Sequence, residues 1–564
     1  MSSSNADPKV CSKADSKADL ILNRGSIYAV DGRRSWAEAV AIGEGRVIAI
    51  GTDLDIDAFR GPQTRTVDLR GRMVMPGIID VHNHHTRGGQ ADLFETTILP
   101  TLSFEEVIAV VRARAATTKP GDWISGGIWG SNIVGRLYSR SARAALDAAS
   151  PDHPVMLRDD SQHSRWVNSR ALAIMGVDAD TPNPLNGEIV RDPDTGEATG
   201  LLLERASTLA ETALARTVED AAGRNVSSTR RAVQILNSFG VTAYQDANTM
   251  LPYLQALAEL DGRGQLTAWC VASMPAHQPL MGTDIFGDAL IALRESFRSR
   301  HVRPDFVKIF MDGVPTTRTA SMREPYTPDK LHGCCFRGEA LVSIPELARW
   351  IAKCEKLGLS TKIHCAGDGA VRDTLDAIDV VRSFNGPGRM HQIAHAGFID
   401  PDDVARFKEL DVVADLSPII WYPSPIIEAI KAAVPEARAA RYWPNRDLLA
   451  AGALMAAGSD WPVVSNPDPW LGIEGMVTRQ NPRGGFPGAL WPEQALDLAD
   501  VLEIYTRNPA RAIGLDTVTG SLEPGKSADL IVLDRNLFEI PSDDLAETRV
   551  LATYFEGELV FERD

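Results

Sequence analysis

The chain has 564 residues, 44% of them hydrophobic and 24% charged, with a net charge of −17. That length exceeds one ordinary domain but suits a large barrel with an accessory domain, and the composition is that of a globular protein. The acidic balance argues against a nucleic-acid or anionic-membrane surface, both of which reward a basic face.

Met1 to Asp19 is polar and lacks the apolar core of a secretion signal, so residues 1–17 are expected to form a disordered tail. No stretch of about 18 apolar residues suggests a transmembrane helix. The six cysteines (Cys11, Cys270, Cys334, Cys335, Cys354 and Cys365) are sparse and show no CxxC spacing. A reduced, cytoplasmic protein is the expectation.

Order begins at Ala18. Short β-type runs follow at Asp19–Asn23, Ser26–Val30, Ala39–Ile42 and Arg46–Ile50, separated by Gly-containing turns. A matching set closes the chain at Ala528–Leu533, Val550–Phe555 and Glu558–Phe561. The two ends, 18–72 and 515–564, are read as one discontinuous β domain.

Between them, apolar strands alternate with helical patterns, the signature of parallel βαβ units. Eight strands are placed: Met73–Asp80, Val241–Gln245, Leu266–Val271, Phe306–Phe310, Leu359–His364, Met390–His395, Val412–Leu416 and Ala453–Ala457. Eight such units predict an α/β fold of the closed (β/α)8 barrel type over 73–480. Some 140 residues separate the first strand from the helix (about Ser227 to Ser238) leading into the second, too long for a loop. They carry helical patterns at Phe104–Thr118 and Ser141–Ala148 and strand-like pieces at Val155–Leu157 and Gly187–Val190. An inserted subdomain over about 87–222 is expected, leaving the barrel at the strand ends where active sites sit and roofing the pocket.

The strand ends carry the chemistry. His82-Asn-His84 follows the first strand, and alternation puts both imidazoles on one side, suited to one metal ion. His85 falls out of phase and reads as packing or support. His364 and His395 each close an apolar strand, Asp460 follows the eighth, and Lys308 lies within the fourth. Four of only 11 histidines thus fall at strand ends, with an aspartate and a lysine that would be costly to bury alone. Cys365 is next to His364 but out of phase with it, so it reads as packing rather than as a nucleophile.

The order Pro76-Gly-Ile-Ile-Asp-Val-His-Asn-His84, Lys308, His364, His395, Asp460 resembles the metal-dependent amidohydrolase superfamily, and the terminal segments, including Gly520–Val532, look like that superfamily's composite β-sandwich. More narrowly, several stretches are similar to the YtcJ-like group, which includes N-substituted formamide deformylases. They are His163 with Val167–Leu172, Gly200–Glu204, Val307–Gly313 with Arg318-Thr-Ala320 and Pro325-Tyr326, His364–Asp368, and Ser459–Val463. The resemblance implies one divalent ion on His82, His84 and Asp460, and a second on His364 and His395. Lys308, once carboxylated by carbon dioxide, would bridge the two; alternatively it only salt-bridges Asp460 beside a single ion. Zinc is the first expectation, with manganese, iron and cobalt left open.

The implied mechanism is hydrolysis by metal-activated hydroxide, with Asp460 taking the water's proton and passing it to the leaving amine. His163 either binds the substrate carbonyl or is a structural polar residue. Asp312 and Arg318 either contact substrate or brace their loop, and Asp368 is expected to orient a ligand histidine. Trp129, Trp166, Tyr326, Trp421, Tyr422 and Trp461 are expected as a group to line an apolar pocket. The expected partner is a small amide, N-substituted formamide-like, and the resemblance implies a homodimer. Cyclic amides, ureides, carbamates and esters stay open, as does a binding protein without turnover.

Overall fold

A computed structural model describes residues 17–160, 163–277, 285–329, 332–420 and 422–563. The expected N-terminal tail, apart from Lys17, lies outside them, as do Cys11 and Trp421.

Eight parallel strands form the central sheet: β1 (Ile78–Asn83), β2 (Val241–Asp246), β3 (Trp269–Pro275), β4 (Val302–Phe310), β5 (Ser360–Cys365), β6 (His391–His395), β7 (Val412–Leu416) and β8 (Leu454–Ala457). They pair in sequence order from β1 to β8. Every residue of β1, β5 and β7 is buried, as a parallel sheet covered on both faces requires. The seam between β8 and β1 is crossed just beyond the strand ends, where Asp460 N–H donates to His82 O at 2.7 Å. Ser459 N–H and Oγ both donate to the Asp80 carboxylate, at 3.0 and 2.6 Å. The fold is thus the (β/α)8 barrel that the alternation of elements predicts.

The first expected strand proves to be two. Met73–Pro76 pairs with Ser26–Tyr28 and Leu530–Leu533 in a sheet built from both chain ends, and only Ile78–Asn83 belongs to the barrel. The break falls at Pro76-Gly77, where a Cβ on Gly77 would meet the Thr242 side chain at 2.1 Å. Strand β3 runs later than expected because Leu266 and Ala268 are buried lead-in residues rather than part of the ladder. The end-strand sheets have four and six members and pack around Leu22, Ile27, Val40, Val74, Leu530 and Val532.

Between β1 and β2 the chain builds a six-stranded sheet of its own, running from Thr96–Thr97 to Ala198–Glu204. Helix Phe104–Ala115 packs on Arg140–Ala149 beside that sheet, its start fixed by a Ser103–Glu106 capping box. Three helices link this insertion to the barrel: α1 (His85–Phe94), α2 (Ser207–Ala215) and α3 (Ala221–Ser238). The last begins six residues before the helix read from the sequence. A buried ion network joins them. Glu211 of α2 takes Arg158 Nε and Nη2 at 2.7 and 2.8 Å and Arg165 Nε at 2.6 Å. Arg158 also reaches Glu95 at the end of α1, at 2.7 Å.

Candidate metal centre and pocket

Strand β1 delivers His82 with almost no exposure. Its Nδ1 lies 2.8 Å from Asp415 Oδ2 on β7. A carboxylate there only accepts, so Nδ1 carries the proton and Nε2 keeps its lone pair. That Nε2 is buried without a hydrogen-bond partner and faces Asp460 Oδ1 at 3.6 Å. His84 Nε2 comes within 3.5 Å of the same oxygen, and His395 Nδ1 within 3.8 Å of Asp460 Oδ2. The ligand atoms of His82, His395 and Asp460 lie within 4.8 Å of one another. His364 packs on His395 with ring centroids 4.5 Å apart. Its Nε2–H donates to Gly313 O at 3.0 Å, which leaves Nδ1 as its basic nitrogen.

His395 and Asp460 both adopt positive φ, 71° and 57°, a backbone region that non-glycine residues enter at a cost and that clusters at functional sites. Burial holds the pKa of His82, His364 and His395 well below the usual histidine value, reinforced by the Lys308 ammonium and neighbouring imidazoles. Neutral imidazoles beside a carboxylate are the protonation state that metal binding demands. An orphaned buried nitrogen aimed at a carboxylate oxygen, with two more histidines on the same group, fits a divalent cation. Lys308 faces the same space. Burial, followed by the charge of Lys362, lowers its pKa to about 7. Its Nζ sits 4.7 Å from the Phe310 ring centroid, and among the described residues no carboxylate lies within ion-pair distance of it.

All six residues line one cavity of about 170 Å³. Its other walls are mostly apolar: Met250, Tyr253, Phe310, Val314, Ile420, Ile426, Ile430 and Tyr442 among them. His163 reaches this cavity from the insertion, its Nδ1 2.9 Å from Glu204 Oε2. Burial pulls the His163 imidazole down, but the Glu204 carboxylate outweighs it and holds the pKa above the usual value.

The expected aromatic wall is elsewhere. Trp129 and Trp166 are buried in the insertion's own core, Trp129 donating to Leu157 O at 3.2 Å. Tyr326 is buried with its hydroxyl on Ala320 O at 2.8 Å. Trp461 backs α1 so tightly that a Cβ on Gly88 would meet its ring at 2.4 Å, while the next residues, Pro462 and Val463, form the wall instead. In each case the ring finds a dry packing site away from the cavity, a distinction that composition does not carry.

Arg318 is tied to Thr327 O and Asp329, at 2.5 and 3.3 Å. Asp312 accepts backbone N–H bonds from Ser321, Ala366 and Gly367, each at 2.9 Å. Both brace the loops after β4 and β5 and line a neighbouring cavity. Asp368 does not orient a histidine: it accepts from Arg323 N–H at 2.8 Å and Arg438 Nη2 at 2.9 Å. Asp415 and Gly313 O stand against His82 and His364 in its place. His85 lies behind the site, 3.1 Å from Asp246 Oδ2, and Cys365 turns away to Thr374 Oγ1 at 3.2 Å. Sequence reading missed Asp415, Lys362 and Glu204. For Asp415 and Lys362 the available signal was a charge inside a strand run, as in Val-Val-Ala-Asp-Leu416; Glu204 stood in the Gly200–Glu204 stretch without a role.

A parallel barrel with histidines and an aspartate gathered at its strand ends defines the class of metal-dependent hydrolases. The profile of the amidohydrolase family matches residues 65–561, and the chain belongs to that family, hydrolases acting on carbon–nitrogen bonds. It is 29% identical to the N-substituted formamide deformylase of Arthrobacter pascens, over 97% of this chain and 98% of that one. It is 30% identical to Protein LONG AFTER FAR-RED 3 of Arabidopsis thaliana, over 96% and 92%. Among solved structures it is similar to an uncharacterized metal-dependent hydrolase of Pyrococcus horikoshii, with a TM-score of 0.71 and 26% identity over 93% of this chain and 99% of that one. Among the described residues no helix is long and apolar enough to cross a membrane.

Proposed function

We propose that this protein hydrolyses a small N-substituted amide bearing an apolar group, of the kind an N-substituted formamide presents. The observation that carries the reading is the cavity itself, whose apolar walls end on the cluster of His82, His84, His364, His395, Asp460 and Lys308. The 29% identity to a formamide deformylase along nearly the whole chain supports the substrate class.

A divalent cation on His82, His84 and Asp460, with His364 and His395 available to a second, zinc by this His-rich and oxygen-completed donor set, would supply an acidified water and a polarised carbonyl. Asp460 lines the cavity with Oδ1 3.5–3.6 Å from His84 and His82 and with Oδ2 3.8 Å from His395. It accepts the proton of the attacking water and delivers it to the leaving amine. His163, held by Glu204 and lining the cavity, is the group that would donate to the substrate carbonyl oxygen. Ile420, Ile426 and Ile430 hold the N-substituent and keep bulk water off it. Lys308, buried and without a carboxylate partner, is the amine that carbon dioxide would convert to a carbamate, making room for a second ion.

The test combines metal analysis of the purified protein with a screen of formamides, acylated amines, ureas and esters. Turnover is expected for the formamides, falling at least about 100-fold in Asp460→Asn. Full turnover by Asp460→Asn would refute the mechanism, and activity confined to esters would refute the substrate class.

A further inference from the structure

Below the histidines the barrel carries a second layer of charge. Strand alternation puts Lys362 on the same face of β5 as His364, two residues deeper. It lies in register with Lys308 of β4 on one side and Gln392 of β6 on the other. Barrel interiors are ordinarily packed with branched apolar residues, so an ammonium there needs a reason. It has one partner: Lys362 Nζ donates to Asp415 Oδ2, with both side chains fully buried.

That same oxygen receives His82 Nδ1–H at 2.8 Å. The other oxygen of Asp415 has no hydrogen-bond partner. One atom therefore joins Lys362 to His82, and among the described residues no other hydrogen bond steadies the carboxylate. Electrostatics alone gives Lys362 no place here, because a cation one layer below a cation site repels the ion. Its geometry supplies the reason.

We propose that Lys362 is a positioning residue for the metal centre: by anchoring Asp415 Oδ2 it fixes the His82 ring with Nε2 directed at Asp460 and His395. The inference rests on the reading of those residues as metal ligands. Groups that orient a ligand histidine commonly matter to affinity nearly as much as the ligand does. A purely electrostatic Lys362 acts in the opposite direction, and the two are separable.

The experiment is Zn2+ titration of metal-depleted full-length protein in competition with a chromophoric chelator, with folding followed by circular dichroism. Lys362→Met, which keeps length and removes the anchor, is expected to bind Zn2+ about 10–100-fold more weakly. Asp415→Asn should weaken it similarly, and the double variant should be no weaker than Asp415→Asn alone. Lys362→Arg should recover part of the loss. Zn2+ binding by folded Lys362→Met as tight as wild type, or tighter, overturns the proposal. Wild-type protein that binds no Zn2+ overturns the metal-centre reading and the proposal with it. Should Lys362→Met not fold, 15N-histidine spectra of the wild-type protein decide, with the His82 signal assigned by its absence in His82→Gln. A proton on His82 Nδ1 supports the anchor, and one on Nε2 overturns it.

Discussion

Removing Glu211 should loosen the insertion that brings His163 to the pocket. Its carboxylate receives three donor contacts of 2.6–2.8 Å from Arg158 and Arg165, and the three side chains are at most 7% exposed. Burial pushes the Glu211 carboxyl up, but the two guanidinium groups prevail and hold it well below the usual range. A folded pKa below the unfolded 4.5 contributes stability above that value and loses it only as pH falls through the lowered pKa, so the contribution is complete at neutral pH. Glu211→Gln removes the carboxylate that both buried arginines share; breaking a buried pair this way costs about 3–5 kcal/mol. At 1.36 kcal/mol per decade this is about a 160- to 5,000-fold rise in the open population. A global melt averages over the whole chain, so opening of this one segment is better read locally. Hydrogen exchange at residues 155–167 and 207–215, read by mass spectrometry, reports the local opening directly. A change below about 1 kcal/mol would refute the reasoning. Replacing Arg158, Arg165 and Glu211 together by Met, Met and Leu should be close to neutral, since well-packed apolar groups commonly match a buried ionic cluster.

Two further outcomes are expected. His301 bridges Asp261 and Glu556 at 2.6 and 3.1 Å, and although burial opposes it, those acids raise its pKa. A raised pKa contributes fully below the unfolded 6.5 and fades as pH rises through the folded value. His301→Gln should therefore cost about 1.5–3 kcal/mol at pH 6 and less at pH 9, by urea denaturation at both; equal losses would contradict it. A Cβ on Gly458 would lie 2.5 Å from both Cβ and N of His82, where backbone must move. Gly458→Ala should thus destabilise the barrel seam by about 1–3 kcal/mol and weaken Zn2+ binding, checked by thermal melts with and without added Zn2+.

The barrel was legible because its strands are apolar runs that stop at polar residues, and His364, His395 and Asp460 stand where those runs stop. The same local reasoning merged Met73–Pro76 with β1, because apolar periodicity continues across Pro76-Gly77 while the chain changes sheets. The aromatic residues misled because ring size signals burial without saying against what: Trp129 and Trp166 fill the insertion rather than the pocket. Asp368 stood beside a histidine in sequence, yet the carboxylate that meets His82 comes from β7, 333 residues away. Long-range pairs of that kind follow from barrel closure, and no sequence window contains them.

The seam between β8 and β1 has a consequence for the order of events in the cell. His82 emerges early in synthesis, but its carboxylate partner across the seam, Asp460, is made some 380 residues later. If these residues hold the ion, the full donor set cannot assemble until Asp460 has been made. An ion that binds His82 and Asp460 together would act as a clasp between the first and last strands. Metal supply would then govern how firmly the ring is shut as well as whether it is active, and starvation for the ion would first be felt at this joint.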